Sequence, residues 1–159
     1  MDFVYNDGGR TAAGYKGRAG DCVVRAIAIA TQKAYQEVYD AINAFALTER
    51  VRRGRRSSAR SGVGRTTYEG YLRALGWEWI PTMQVGSGCR VHLKTEELPK
   101  GHLVVRLSRH LTAVIDGVIH DIYNPDRRGT RCVYGYFKLA QAQKKAENVW
   151  HDQQGRQKG

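Results

Sequence analysis

HLTAVIDGVIHDIYNP, residues 110–125, places Asp116-Gly117 between two runs rich in β-branched residues. This arrangement predicts a β-hairpin, because a type I′ turn needs positive φ at both central positions and Asp-Gly tolerates it. A two-residue turn pairs Ile115 with Val118, and it puts Asp121 diagonal to His110 on one face of the hairpin. A three-residue loop with a bulge would instead shift the pairing by one and bring Asn124 opposite His110. The stretch therefore predicts a hairpin and leaves two registers open.

The sequence on either side of this hairpin divides into a helical part and a β-rich part. Further strands are expected at 89–93, 102–107 and 134–137, followed by a short helix at 138–150. Upstream of residue 76 the apolar residues recur at helical rather than alternating spacing. Helices first and an antiparallel sheet second predict the α+β class.

Three helices are predicted before the sheet. The first begins after Asp21, a suitable N-cap, and is apolar nearly all round, so we expect it to be a buried central helix. The second carries an apolar stripe from Tyr35 to Phe45. The third opens at Thr66-x-x-Glu69, a capping box, and ends before Gly76.

The ends of the chain look less regular. Residues 1–20 are rich in glycine and predict an irregular lead-in, and residues 151–159 predict a frayed polar tail. The chain of 159 residues is expected to form a single domain over 1–159. A signal peptide and a membrane span are not expected, and the predicted location is cytoplasmic, in the host cytoplasm if the chain is viral.

The chain is strongly basic. It has 26 lysines and arginines against 15 acidic residues, a formal charge of +11, which favours acidic partners such as nucleic acid or an acidic protein surface. The segment 50–65 contains many arginines and no acid, and its glycines and serines predict a mobile, exposed loop.

The three cysteines are too few and too scattered for a disulfide framework, so free thiols are expected. Cys89 and Cys132 are expected to pack as small apolar side chains. Neither a metal site nor a cofactor is predicted, because the spacing of cysteines and histidines matches no zinc pattern.

Cys22 differs from the other cysteines because it lies in the first turn of the predicted buried helix. The positive end of the helix dipole favours a thiolate there, and the backbone N–H of Cys22 is free to face a developing oxyanion. The alternative is a structural cysteine on an apolar helix, since free cysteine is often buried.

Helix-borne Cys22, strand-initial His110 and a polar residue at the end of the return strand resemble the papain-like cysteine peptidase superfamily. The apolar hairpin ending in Asn124-Pro125 is similar to bacteriocin-processing peptidases and transglutaminase-like folds, and small basic chains of this kind resemble bacteriophage proteins. The resemblance implies a papain-like fold, with the nucleophile on the first helix packed against a C-terminal antiparallel sheet.

For function, the resemblance implies a thiol peptidase, amide hydrolase or acyltransferase that acts on a peptide, an isopeptide or a glutamine side chain. Cys22 would be the nucleophile and His110 the acid/base. Asn124 is favoured as the residue that orients the imidazole, with Asp121 second. Lys16 stands where papain-like enzymes carry an oxyanion-binding glutamine.

The competing prediction is a nucleic-acid-binding or protein-interaction module on a degenerate papain-like fold. Its candidate residues are Arg52, Arg53, Arg55 and Arg56, because clustered arginines neutralise phosphates or carboxylates. Both predictions are compatible, since a basic loop can bring a hydrolase to an acidic partner.

Overall fold

The fold is α+β, with three helices and one six-stranded sheet, and the computed structural model describes residues 1–51 and 54–141. The elements in chain order are β1 (Asp2–Tyr5), α1 (Cys22–Thr31), α2 (Tyr35–Thr48), α3 (Arg65–Ala74), β2 (Trp77–Pro81), β3 (His102–Leu107), β4 (His110–Ile115), β5 (Val118–Asp121) and β6 (Gly135–Leu139). The strand order is β1-β5-β4-β3-β6-β2. All pairings are antiparallel except that of β1 with β5, which is parallel.

The turn between β4 and β5 has the two-residue register. Ile115 pairs with Val118, and both turn residues have positive φ, 48° at Asp116 and 80° at Gly117. The bulged alternative is absent from this hairpin. Thr112 and Asp121 consequently lie side by side on the face that also carries His110.

The centre of the sheet is buried on both sides, and successive side chains along β3 pack against opposite layers. Val104 packs with the helices, in a cluster that includes Val24 and Ile27 of α1. Its neighbours Leu103 and Val105 belong to a second cluster, which is completed by residues from the long connections, among them Leu93. Such continuous burial explains why β3 reads as an apolar run rather than an alternating one.

Helix α1 is buried along almost its whole length, as its sequence predicts, and Asp21 stands at its N-cap. The Asp21 side chain makes no capping hydrogen bond, because it binds other side chains. Helix α3 ends as predicted, with Gly76 at a φ of 82° just beyond its C-cap.

Several sequence-based expectations about the sheet were wrong. Residues 2–5 form the edge strand β1 instead of an irregular lead-in, and residues 89–93 contribute only an isolated bridge between His92 and Cys132. Residues 77–81 form β2, a strand for which the sequence analysis made no prediction. A helix was expected at 138–150, but residues 138 and 139 belong to β6. The positions of that helix from 142 onward, like the predicted tail at 151–159, lie outside the described residues.

Cys89 and Cys132 form a disulfide, so the expectation of free thiols there was wrong. The cause is a contact between two distant loops, since the His92–Cys132 bridge brings the two cysteines to a Cα–Cα distance of 5.8 Å. Cys22 is the free cysteine of the chain.

The arginine-rich segment is attached to the body more firmly than an exposed loop would be. Ala59 is completely buried, and its backbone N–H donates to the Asn43 side chain of α2 at 2.9 Å. The carbonyl of Arg60 accepts from the backbone N–H of Gly20, just before α1. The middle of the segment therefore packs beside the start of α1, while the side chains of Arg55 and Arg56 stay exposed.

Candidate active site

Cys22, from the N-terminal part of the chain, lies beside His110 and Asp121, which belong to one hairpin, at one end of the sheet. Cys22 opens α1, His110 opens β4, and Asp121 ends β5. His110 Nε2 lies 2.7 Å from Asp121 Oδ2, and both side chains are buried. The other ring nitrogen, Nδ1, is left for the Cys22 sulfur, which adjoins the imidazole.

The Cys22 thiol and the His110 imidazole are neighbours, and their interaction lowers the pKa of the thiol and raises the pKa of the imidazole. Catalytic hydrogen bonds are often long without substrate and tighten when it binds. The structure brings Cys22 and His110 to the lining of one cavity.

Opposing effects act on the pKa of each partner. Burial alone would raise the pKa of the Cys22 thiol, but the His110 side chain and the backbone of Leu111 bring it below its ordinary value. Burial would likewise lower the pKa of His110, but Asp121 and Cys22 raise it to about 9. Both directions favour a thiolate beside an imidazolium near neutral pH.

Asp121 makes the contact to the imidazole that the sequence analysis preferred for Asn124. Its carboxylate also accepts from Thr112 Oγ1 at 2.7 Å and from the backbone N–H of Ile122 at 2.7 Å. Asn124 is exposed, and its Oδ1 accepts from the backbone N–H of Asp126 at 3.0 Å. The preference for Asn124 was wrong because the two-residue turn puts Asp121, not Asn124, on the face of His110.

A buried arginine holds Asp121 in place. Arg25, on α1, reaches Asp121 Oδ1 with Nη1 at 2.8 Å and Asp21 Oδ1 with Nε at 3.0 Å. Asp21 also accepts from Tyr35 Oη at 2.7 Å and pairs with Arg10 at 3.2 Å. Each buried charge thus has a partner of opposite sign, as burial requires.

Sequence reasoning did not assign Arg25 or Thr112 to the site. The signal for Arg25 was present, because it is the one charged residue on an otherwise apolar helix and lies four positions after Asp21. Thr112 lies between two apolar residues of β4, where nothing in the local pattern distinguishes a hydroxyl that serves a carboxylate.

Tyr123 covers the outer side of the imidazole. Its ring centroid lies 5.2 Å from that of His110 at an interplanar angle of 36°, and the tyrosine is about half exposed. The ring therefore shields His110 from part of the solvent and limits its rotation.

A cavity of about 480 Å³ opens beside Cys22 and His110. Its lining residues come from the start of α1, the loop before α3, α3 itself and the β3–β4 turn, and include Gly20, Cys22, Val63, Tyr68, Arg106 and His110. Lys16 is not among its lining residues. The Lys16 carbonyl accepts from Arg10 and Arg60, and its side chain is exposed, so the structure does not bring Lys16 to the site.

Of the four arginines proposed for an acidic partner, Arg55 and Arg56 are exposed and line a second cavity. Arg52 and Arg53 lie outside the described residues. Within the described ranges there is no group of three metal-ligating side chains and no helix of the length and apolar character that crossing a membrane requires.

The chain matches no protein-family model, no curated protein and no solved structure.

Proposed function

We propose that this protein is a cysteine-dependent amide hydrolase or acyltransferase with a papain-like site. Cys22 is the nucleophile, His110 the general acid and base, and Asp121 the residue that orients the imidazole. The observation that carries the proposal is the line from a helix-start thiol through His110 to a buried carboxylate 2.7 Å from Nε2. Nucleophile, base and orienting group are the three roles that such catalysis needs.

The first half of the reaction forms a thioester. The Cys22 thiolate attacks the carbonyl carbon of the amide, a C–S bond forms, and negative charge develops on the carbonyl oxygen. We assign the stabilisation of that oxygen to the backbone N–H of Cys22, because Cys22 opens a ten-residue helix whose N-terminus favours negative charge. His110 then gives its Nδ1 proton to the leaving nitrogen, and the C–N bond breaks.

The second half releases the acyl group. Neutral His110 takes a proton from water, which attacks the thioester carbon. The C–S bond breaks, the acid leaves, and the thiolate–imidazolium pair is restored. An amine in place of water makes the same step an acyl transfer. Asp121 stays ionised throughout, because burial would raise its pKa but the bond to His110 holds it below its ordinary value.

The test is the pH dependence of Cys22 alkylation by iodoacetamide, measured by mass spectrometry on the oxidised protein. With Cys89 and Cys132 in a disulfide, the label reports Cys22 alone. We expect rapid alkylation already at pH 6–7, and a profile moved to higher pH in His110→Ala.

His120→Ala is the matched control, since His120 lies on the alternate face of the hairpin and should leave the profile in place. A Cys22 that titrates like an ordinary thiol, near pH 8.5, would sink the proposal.

A further inference from the structure

The cavity beside Cys22 has charged lining residues of one sign besides the catalytic pair. They are Arg65 on α3, Arg106 on β3 and Arg109 in the β3–β4 turn, and among residues 1–51 and 54–141 no aspartate or glutamate lines this cavity. An enclosed surface of single sign concentrates the field and selects ligands of the opposite charge. The question is whether these arginines are already neutralised by the protein.

Arg65 is partly neutralised, because its Nε lies 2.5 Å from Glu69 Oε1. Arg106 and Arg109 form no ion pair with any residue in the described part of the chain. Arg106 is half-buried and lies over the ring of Trp79, at 6.0 Å from the ring centroid. Burial without a carboxylate makes it the stronger site for an incoming anion.

Arg109 is held by the backbone rather than by a side-chain partner. It occupies the left-handed region, with a φ of 55°, in the turn between β3 and β4. Leu107 and His110 pair across that turn, so its geometry is fixed by the sheet. The turn places Arg109 directly before the catalytic histidine in the chain.

The positive lining continues past the cavity. A second cavity, of about 720 Å³, is lined by Arg50, Arg55 and Arg56. The two cavities have four lining residues in common, namely Ser61, Gly62, Val63 and Arg65. Within the described part of the chain the one acidic lining residue of the second cavity is Glu49, which is bound by the Ser57 backbone N–H and the Thr67 hydroxyl. Arg65 lines both cavities, so arginines line the adjoining cavities from Cys22 to the arginine-rich segment, and we call this pair of cavities the arginine-lined track.

Building on the proposed function, we infer that the acyl donor is an acidic polypeptide segment. A carboxylate side chain next to the scissile amide would contact Arg106 and Arg109, and further acidic residues would follow the track past Arg65. A polypeptide fits better than a nucleic acid, because the track begins at a nucleophile that needs an amide carbonyl. Arginine binds carboxylates in a planar, two-pronged geometry that makes such selection specific.

The first experiment compares two small probes that differ in charge, iodoacetate and iodoacetamide, at Cys22. The rate with neutral iodoacetamide reports the reactivity of the thiolate. The rate with iodoacetate divided by the rate with iodoacetamide reports the attraction for a carboxylate. In Arg106→Gln/Arg109→Gln we expect this ratio to fall about tenfold at low salt. Arg90→Gln, an exposed arginine that lines neither cavity, should keep the wild-type ratio within twofold.

This comparison separates two failures. Slow alkylation by both reagents in the wild type would remove the proposed function itself. Rapid alkylation by iodoacetamide, with a ratio that ignores the double substitution, would leave the nucleophile standing and overturn the acidic selectivity.

The second experiment identifies the class of macromolecule. Poly-L-glutamate, poly-L-glutamine and a DNA duplex are tested for protection of Cys22 against iodoacetamide at equal concentrations of charged or amide groups. We expect protection by poly-L-glutamate, weakened at least fivefold in the double variant, and none by poly-L-glutamine. Stronger protection by the duplex than by poly-L-glutamate would overturn the inference in favour of a nucleic-acid partner, and so would equal protection by the two.

Discussion

Replacing Asp121 by asparagine keeps its volume and removes the negative charge that His110 faces. The pKa of His110 is raised from 6.5 to about 9, and Asp121 is the largest of the favourable causes. That rise corresponds to roughly 3 kcal/mol at 1.36 kcal/mol per pKa unit. Cys22 supplies part of it and solvent screens part, so we assign on the order of 1.5 kcal/mol to the Asp121 charge.

We therefore expect Asp121→Asn to lower the equilibrium constant for forming the thiolate–imidazolium pair about tenfold, since 1.4 kcal/mol is a factor of ten. The assay is the rate of Cys22 alkylation by iodoacetamide at pH 7, at a temperature where the variant is fully folded by circular dichroism. Stability should fall as well, by about 3 kcal/mol, because Arg25 loses one of its two carboxylate partners.

Asn124→Ala is the matched control, because the Asn124 side chain accepts from the backbone N–H of Asp126 and lies outside the ion network of Arg25. Its alkylation rate should stay within twofold of the wild type. If Asn124→Ala slows Cys22 more than Asp121→Asn does at matched folding, the assignment of the orienting residue from the hairpin register is refuted.

Three other perturbations probe the charge network, the turn and the titration of the site. Arg25→Met should lower the free energy of unfolding by about 3–5 kcal/mol, because it leaves two buried carboxylates without their shared cation. Arg10→Met, at the edge of the network, should lower it by about 1 kcal/mol. Both values are measured by urea unfolding, and equal losses would contradict this order. Gly117→Ala should lower the free energy of unfolding by about 3 kcal/mol, because an added Cβ would meet Thr95 Cγ2 at 2.6 Å. Gly86 has nearly the same φ but lies in open space, so Gly86→Ala should lower it by about 1 kcal/mol. A Gly86 loss that matched or exceeded the Gly117 loss would count against the crowding argument. In a Cys22→Ser background, the free energy of unfolding should fall by about 2 kcal/mol as pH rises above 6.5, since Asp121 makes the folded state hold the His110 proton more tightly than the unfolded state does. The fall should end at a lower pH than the wild-type His110 pKa of about 9, because the charge of Cys22 is gone. His110→Gln should abolish this slope, and a slope that persists would assign it to another group.

Local patterns were enough to predict part of this fold. The Asp116-Gly117 turn and the apolar run of α1 each express a preference of nearby residues, and both are found in the structure. The pairing of β1 with β5 depends instead on residues more than one hundred positions apart, and all four residues of β1 are exposed, so no burial pattern marks them. The disulfide was missed for a similar reason, since it closes a loop between residues 43 positions apart.

The candidate site shows the same division. Cys22 and His110 could be found because each begins an element, and the structure brings them together. Choosing between Asp121 and Asn124 required the turn length, which Asp-Gly alone leaves open between two and three residues. The role of Arg25 could be assigned only from the tertiary structure, because the sequence does not show that this arginine lies beside Asp121.

Because the turn has two residues, the geometry of the site depends on the length of the hairpin. His110 and Asp121 are eleven positions apart, and they share a face because the chain reverses midway between them. Inserting one residue at the turn would swap which side chains of β5 stand on that face, so Asp121 would turn away although its identity is unchanged. Adding one residue to each strand would preserve the pairing. The site should therefore tolerate many substitutions in the hairpin but not the insertion or deletion of a single residue. The spacing between His110 and Asp121 should thus vary less than the identities of the residues between them.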